Sequence, residues 1–212
     1  MINFEEYWNS RYLEGEKIWG DRPSKSAEIA LKYFETRNIK KILVPGAGYG
    51  RNTKIFSTNH YTVTGIEISS FALRIAREFD DKTLFIKKNV LKMEYSNDVY
   101  DAIYCFNTLH LFLKKERQKF IKNCYNLINR KGYLFFVVFS DLENSYGKGK
   151  KIEENTFESK PGRPTHYFTE VDLIDHFKNF KIINLGKVED DENHGSLGKH
   201  THFLRYIFAQ KK

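Results

Sequence analysis

A glycine-rich turn is the part of this chain whose residue types are best suited to hold a small ligand. Residues 41–44 form a short apolar run, the segment Gly46-Ala47-Gly48-Tyr49-Gly50 follows it, and a helical pattern begins near Arg51. A strand, a tight turn and a helix N-terminus bring backbone N–H groups up to an anionic or zwitterionic ligand. Arg51 stands where the dinucleotide-binding pattern has its third glycine. The turn predicts a ligand site without fixing the ligand, because such turns are also common as plain connections.

A carboxylate follows the next predicted strand at a spacing that suits a ribose. Glu67 comes 19 residues after Gly48, close to the roughly 20 residues at which an acid on the neighbouring strand reaches a ribose diol. A carboxylate that accepts two hydroxyl protons makes charge-assisted hydrogen bonds, each worth roughly 1.5–3 kcal/mol. The alternative is a surface glutamate that caps the helix beginning near Ser69.

Two further strand ends carry polar and aromatic residues. Asn89 and Val90 follow the third predicted strand; the Asn89 amide suits an adenine amino group, although asparagine after a strand is commonly a turn residue. Phe106 and Asn107 end the fourth strand, where a ring and an amide can form a floor beneath a ligand. In an open parallel sheet, ligands bind outside the carboxyl ends of the strands. We therefore expect these residues to converge with the glycine turn.

Histidines concentrate in the segments assigned to this edge. Five of the seven are found there: His110, His166, His194, His200 and His202. Histidine is the side chain best suited to accept a proton near neutral pH. We predict that any catalytic base is among His110, His166, His194 and His200, with Asp141 as a further candidate. Hydrogen-bonded histidines without a catalytic role are the alternative for some of them.

His200 and His202 also raise the question of a metal. They are two apart on a predicted strand, so both side chains point to one face. A metal site would need a third ligand, such as His194 or Glu192. No metal-binding spacing is established, and we predict that the chain binds no metal.

The elements that position these residues alternate regularly. Predicted strands at 41–44, 61–66, 83–87, 100–106 and 133–139 alternate with helices that begin near 51, 69 and 116. Such alternation predicts a parallel sheet with helices on both faces. Residues 141–168 break the pattern and are interpreted as an irregular insertion that is functional or has structure of its own. A helix from Thr169 and two strands at 181–188 and 201–210 follow, and their polar link predicts a hairpin whose last strand is antiparallel.

Length and composition favour one globular domain. The 212 residues are divided into an N-terminal lid and first helix (1–37), a core (38–140), the insertion (141–168) and a closing helix and hairpin (169–212). The net charge of +8 comes mostly from scattered lysine pairs, which makes a nucleic-acid partner unlikely. No apolar run is long enough to span a membrane. The acidic N-terminus and two cysteines without metal or redox spacing predict a cytoplasmic protein with free thiols.

Taken together, these residues resemble the Rossmann-like (class I) S-adenosylmethionine-dependent methyltransferases. The motifs cover about residues 40–140, and the topology covers the full length. Residues 46–50 resemble the first motif, Glu67 the ribose-binding acid, Asn89 and Val90 the adenine-contacting pair, and residues 106–110 the fourth motif. The N-terminal arm, with its two tryptophans, is similar to the lid of the small-molecule branch related to tellurite-resistance, thiol and thiopurine methyltransferases.

Two departures accompany the resemblance. Val44 replaces the acid that commonly stands two places before the first glycine, followed by Pro45 as in the thiol and thiopurine branch. Asn89 replaces the usual aspartate at the adenine position, so backbone groups of Val90 are expected to carry more of that contact.

The resemblance implies a doubly wound α/β fold: a seven-stranded, mostly parallel sheet in the order 3-2-1-4-5-7-6, with strand 7 antiparallel and an N-terminal helical lid. It implies methyl transfer to a small-molecule acceptor such as a thiol or a chalcogen oxyanion. It implies S-adenosyl-L-methionine as the cofactor, bound by Trp19, Gly46, Ala47, Gly48, Arg51, Asn52, Glu67, Ile68, Asn89, Val90, Phe106 and Leu109. The alternatives are methylation of RNA or protein, a binding module without catalysis, and a nicotinamide-dependent oxidoreductase. The oligomeric state stays open.

Overall fold

The computed structural model describes residues 3–93, 99–193 and 199–212. Its strands are β1 (Lys41–Pro45), β2 (Thr62–Glu67), β3 (Leu84–Lys87), β4 (Tyr100–Phe106), β5 (Ile128–Phe139), β6 (Lys150–Glu153), β7 (Thr156–Lys160), β8 (Arg163–His166), β9 (Phe180–Asn193) and β10 (Lys199–Lys211). Its α-helices are α1 (Phe4–Gly15), α2 (Lys25–Glu35), α3 (Thr53–Thr58), α4 (Ser70–Phe79), α5 (Lys114–Leu127) and α6 (Glu170–His176). None of the helices in these ranges is both long and apolar enough to cross a bilayer.

Seven strands form the central sheet, in the order β3-β2-β1-β4-β5-β10-β9. Strands β1 to β5 pair in parallel, and β10 is antiparallel to both β5 and β9. The predicted mostly parallel sheet and its antiparallel closing hairpin are therefore confirmed. The predicted strand order, 3-2-1-4-5-7-6, is wrong. Three strands that were not predicted precede the hairpin in the chain, so the hairpin strands are the ninth and tenth rather than the sixth and seventh.

Those three strands lie in the segment that was interpreted as irregular. Strands β6, β7 and β8 form a separate antiparallel sheet. These strands were not predicted because they are short and charged. Strand β6 is also largely exposed, so the segment lacks the apolar alternation that indicates a strand. The insertion carries its own secondary structure.

The core lies in two layers, one on each face of the sheet. Strand β5 shows this most clearly: Leu134, Phe136 and Val138 pack in one cluster, whereas Phe135 and Val137 pack in the other. Alternate side chains of a strand point to opposite faces, so a continuously apolar strand indicates burial on both. The cysteines Cys105 and Cys124 are buried in the first cluster as free thiols, as predicted.

A buried polar network attaches the insertion to the domain. Asp172 of α6 accepts a hydrogen bond from His166 Nε2 of β8 at 2.6 Å and lies 3.2 Å from His176 Nδ1. The Arg117 guanidinium of α5 donates from Nε to His176 Nε2 at 3.1 Å. Hydrogen bonds from the two histidines hold the pKa of Asp172 well below its usual value, although its burial acts in the opposite direction. One carboxylate therefore links β8 to α6 and, through His176, to α5.

Asp172→Asn is expected to lower the free energy of unfolding by about 1–3 kcal/mol, because a buried charge-assisted network loses its central acceptor. Urea denaturation at neutral pH measures this loss. Asp175→Asn is the matched control, since Asp175 is exposed on the same helix and forms a surface ion pair with Lys178. A loss in Asp172→Asn no larger than the control's would contradict the assigned role of the network.

Candidate active site

A cavity of about 460 Å³ lies where the carboxyl ends of the central strands meet. Its walls come from the glycine turn after β1 and the ends of β2 and β4. Helix α1, the inserted sheet and β10 supply the remaining walls. The expected convergence of the strand ends is thus present in the structure. The insertion and the hairpin reach the same space.

The cavity brings most of the predicted residues together. Those that line it are Trp19, Gly46, Ala47, Gly48, Arg51, Asn52, Glu67, Ile68, Asn89, Val90 and Phe106. Leu109 does not line it: its side chain is completely buried in the core, because it begins a 3₁₀ turn that directs it inward.

The four predicted base candidates do not share one location. His110 and His200 line the cavity. His166 does not; it lines a second cavity on the other side of β8, because successive residues of a strand face opposite ways, and Thr165 faces the first. His194 lies outside the described residues. Asp141 is also displaced from the cavity, and its carboxylate accepts hydrogen bonds from the Arg205 guanidinium.

The glycine turn is fastened to the neighbouring strand. The N–H groups of Gly46 and Ala47 both donate to the Ile66 carbonyl at 2.8 and 3.0 Å, and Gly48 N donates to Glu67 Oε2 at 2.9 Å. These three donors are engaged inside the protein and are not directed at a ligand. The turn therefore contributes close backbone approach rather than these N–H groups.

Glu67 is buried at the wall of the cavity and held by three backbone donors. Its side chain is 6% exposed, and its Oε1 accepts from the N–H groups of Ile68 and Ser69, both at 2.8 Å. Burial raises the pKa of the Glu67 carboxyl, against the backbone hydrogen bonds from Ser69, Gly48 and Ile68, which lower it. A carboxylate has about four acceptor positions, so three backbone donors leave Oε2 able to accept from one more group. A ribose hydroxyl satisfies that requirement.

Residues after the glycine turn hold the N-terminal arm, residues 3–24. Arg51 donates from its guanidinium to the Trp19 carbonyl at 2.9 Å, and Asn52 Oδ1 accepts from Ser24 N at 2.9 Å. The Tyr49 hydroxyl donates to the Gly20 carbonyl at 2.7 Å. Two side chains that were predicted to contact a cofactor thus fasten the arm across the turn.

Aromatic rings close the contact between arm and turn. Trp19 stacks on Tyr49 with centroids 6.1 Å apart, and Tyr12 packs edge-on against both rings. A Cβ placed on Gly48 would lie 2.8 Å from the Tyr12 hydroxyl. Gly48 also has a φ of +57°, which favours glycine. The arm can approach this closely only because the turn has no side chain there.

The part of the cavity bordered by helix α1 and the inserted sheet is cationic, and we call it the cationic end. Arg11, Lys160 and Arg163 line it, and Glu67 is the only carboxylate among the cavity's described lining residues. Burial lowers the pKa of Lys160, and the charges of Arg163 and Arg11 lower it further. The Arg163 guanidinium donates to the Tyr7 hydroxyl at 3.0 Å, and its buried Nε has no hydrogen-bond partner within the described ranges. This end is suited to an anion.

A stack of rings borders the cationic end. Phe139 lies between His110 and His202, with centroid distances of 4.0 and 4.9 Å. His202 Nδ1 donates to the buried Glu143 carboxylate at 2.9 Å, an acceptor also bound by Phe203 N at 2.8 Å. Sequence reasoning did not select His202 as a site residue or Glu143 at all. The spacing of His200 and His202 in the sequence was the signal that could have identified His202. No sequence pattern identified Glu143.

His110 gives the site a pH dependence. Burial lowers the pKa of His110 well below its usual value, and the charges of Arg163 and two other histidines add to this. The folded chain keeps this imidazole neutral, while the unfolded chain takes up a proton near pH 6.5. The unfolded state therefore binds more protons below that pH, so stability falls as the pH falls.

We expect the free energy of unfolding to drop between pH 7.5 and 5.5, with His110 contributing up to about 1.4 kcal/mol per pH unit below 6.5. His110→Phe keeps a ring against Phe139 and removes that contribution, so the drop should become smaller. His60→Asn, at an exposed turn position with positive φ, should keep the wild-type drop. Denaturant titrations at both pH values measure it; an unchanged drop in His110→Phe would refute the assignment.

Comparisons with known proteins agree with this arrangement. A family model described as a methyltransferase domain matches residues 43–136. Thiocyanate methyltransferase 1 of Brassica oleracea is 21% identical over 157 residues, covering 71% of this chain and 69% of that protein.

Two solved structures share the fold. The 1,6-didemethyltoxoflavin-N1-methyltransferase of Burkholderia thailandensis has a TM-score of 0.73 and 20% identity, covering 99% of this chain and 87% of that one. TehB from Haemophilus influenzae has a TM-score of 0.69 and 18% identity, covering 98% and 67%.

Proposed function

We propose that this chain, whose residues 43–136 match a methyltransferase domain, is a class I S-adenosylmethionine-dependent methyltransferase and that its acceptor is a small anion. The cationic end of the cavity carries the proposal: Arg11, Lys160 and Arg163 border a space of about 460 Å³, and Glu67 is the one carboxylate among its described lining residues. The Arg163 guanidinium, which donates to the Tyr7 hydroxyl at 3.0 Å, lines this space and can attract an anion by its charge.

The residues at the other end fit the cofactor. Glu67 keeps one acceptor position for a ribose hydroxyl, and the glycine turn permits close approach. Asn89 Oδ1 already accepts from Leu91 N at 2.8 Å, so its amide N–H groups and the backbone of Val90 are the groups left for adenine. When bound, S-adenosylmethionine supplies a methyl group on a sulfonium sulfur, which a nucleophile attacks in line.

The chain's own contribution is alignment and exclusion of water. Arg163 and Lys160 orient the anion by charge, and the arm covers the space between the two ends. We propose that residues 3–24 act as the lid, since Trp19 and Tyr12 both line the cavity and pack on Tyr49. An acceptor that is already an anion needs no base. A protonated acceptor would find His110, His200 or His202 at the wall.

We also propose that the chain is one domain, in which the core between 38 and 140 binds the cofactor. The insertion and the closing hairpin would then define the acceptor. Trp8, Trp19 and the inserted sheet border the cavity, which favours an acceptor small enough to be enclosed over RNA or protein. The cofactor site and the acceptor site would thus come from separate parts of the sequence.

Methyl transfer from radiolabelled S-adenosylmethionine to a panel of acceptors tests the proposal. Thiocyanate, selenite, tellurite and acidic thiols should be methylated in preference to neutral amines and phenols. Equal turnover of the neutral compounds, or methylation of RNA alone, would contradict an anionic small-molecule acceptor. Tight binding of S-adenosylhomocysteine without any turnover would indicate a binding module.

Arg163→Gln should raise the KM for the anionic acceptor about 10- to 100-fold, because one charge-assisted hydrogen bond contributes roughly 1.5–3 kcal/mol. Its affinity for S-adenosylhomocysteine should stay at the wild-type value. Arg130→Gln is the matched control, since Arg130 is exposed near the amino end of β5. An equal rise in KM in both variants would show that bulk charge, and not Arg163, selects the acceptor.

A further inference from the structure

The two histidines of β10 have a third potential metal ligand that their own segment does not supply. One ligand atom each from Glu143, His200 and His202 lies within 4.8 Å of the other two. Glu143 is 59 residues before His202 in the chain and belongs to the insertion. Folding therefore brings together a carboxylate and two imidazoles that the sequence keeps apart.

Neighbouring groups hold both the carboxylate and the imidazole rings of this cluster in place. Phe203 N donates to Glu143 Oε1 at 2.8 Å and fixes the carboxylate, whose side chain is 1% exposed. His202 stacks on Phe139, and the rings of His200 and His202 lie 4.5 Å apart. A metal at about 2.0–2.2 Å from each donor needs ligand atoms about 3.3 Å apart, closer than the 4.8 Å within which these lie. If His202 used Nδ1, the ion would replace the proton that this nitrogen donates to Glu143.

The donor set has a defined chemical preference. Two histidines and one carboxylate are the protein ligands of catalytic zinc sites, which keep a further position open for water or substrate. The same set suits other divalent first-row metals that favour nitrogen and oxygen donors. His200 and His202 line the cavity, so the open position would be accessible from it.

A second cluster with a similar composition is not equivalent. His166, Asp172 and His176 also lie within 4.8 Å of one another. However, Arg117 Nε donates to His176 Nε2 at 3.1 Å, and His166 Nδ1 is bonded to the Thr156 hydroxyl at 2.8 Å. A cation there would have to displace a buried guanidinium. That cluster is a structural network, and it provides a control.

We propose that Glu143, His200 and His202 bind a divalent transition metal ion, with Zn²⁺ as the ion that this donor set fits best. The ion adds positive charge where Arg163 and Lys160 already favour an anion. Its open position would hold the acceptor, which makes the anion and the metal mutually stabilising. The proposal extends the proposed function, but metal binding itself does not depend on methyl transfer.

Metal binding is measured directly on the full-length protein after treatment with a chelator. Zn²⁺ affinity is obtained by competition with a chromogenic chelator, and Co²⁺ reports the ligand geometry through its absorption spectrum. Glu143→Gln and His200→Gln should each weaken Zn²⁺ binding at least about tenfold, since even residues that only orient a metal ligand contribute roughly 10- to 100-fold. Glu143→Gln retains an oxygen acceptor for Phe203 N, so the variant is expected to fold.

His176→Gln is the matched control and should bind Zn²⁺ as the wild type does. Absence of Zn²⁺ binding in the wild type would overturn the proposal, leaving Glu143 to orient His202 by hydrogen bonding alone. A loss confined to His176→Gln would move the ion to the second cluster and would equally overturn it. Calorimetry with S-adenosylhomocysteine on the same samples is the separate readout: failure to bind it would count against the proposed function and not against the metal site.

Discussion

Glu67→Ala should weaken the binding of S-adenosylhomocysteine by at least about 100-fold, the largest loss expected from any single side chain here. The substitution removes the acceptor for a ribose hydroxyl, a charge-assisted hydrogen bond of roughly 1.5–3 kcal/mol. It also leaves the N–H groups of Gly48, Ile68 and Ser69 without their carboxylate, which loosens the turn where we propose that the cofactor binds. Isothermal titration calorimetry measures the loss.

Two variants give this experiment its controls. Glu67→Gln keeps one acceptor oxygen, so an intermediate affinity is expected. Glu78→Ala removes an exposed carboxylate of α4 and should bind as the wild type does. Wild-type affinity in Glu67→Ala would exclude this carboxylate from the cofactor site.

Gly46→Ala should lower the free energy of unfolding by about 3 kcal/mol or more and weaken cofactor binding with it. Gly46 has a φ of +72°, where a side chain costs about 1–2 kcal/mol. A Cβ there would also collide with the Thr108 side chain, and overpacking adds about 1–3 kcal/mol. Urea denaturation and calorimetry with S-adenosylhomocysteine measure the two effects.

Gly147→Ala separates backbone strain from the collision. Gly147 has a φ of +78°, but nothing lies within 4 Å of an added Cβ. It should therefore show the strain alone, about 1–2 kcal/mol. Adding Thr108→Ala to Gly46→Ala should recover part of the stability, because it removes the colliding hydroxyl and methyl groups. Equal losses in the two glycine variants would mean that the contact with Thr108 is unimportant.

The central sheet could be predicted because its signals are local. Strand β5 is a continuous apolar run, and the polar link before β10 predicted a hairpin. The boundaries were less accurate: β5 begins at Ile128, five residues before its predicted start, because residue 128 already pairs with Tyr100. The inserted sheet could not be predicted, since its strands are short and charged and carry no apolar alternation, and they are held largely by pairing with one another.

The residues of the site also differ in whether the sequence could predict them. Glu67 could be selected because its distance from Gly48 along the chain reflects adjacent parallel strands. Glu143 could not, because its contact with His202 depends on how the insertion folds back. Arg51 and Asn52 were expected at the cofactor from their place after the glycines, yet their polar atoms bind the arm. Sequence position predicted the neighbourhood of these two side chains but not their partners.

The hydrogen bonds between the glycine turn and the N-terminal arm bear on the order in which products leave the site. Tyr49, Arg51 and Asn52 each bond an arm residue, so the arm cannot lift without breaking contacts made at the turn where we propose that the cofactor binds. If the cofactor also contacts the arm, as proposed, ligand and arm would strengthen each other's attachment. We expect the cofactor to be released slowly and last, after the smaller methylated product has left through the cationic end. Release of S-adenosylhomocysteine, rather than transfer of the methyl group, would then be the rate-limiting step of the catalytic cycle.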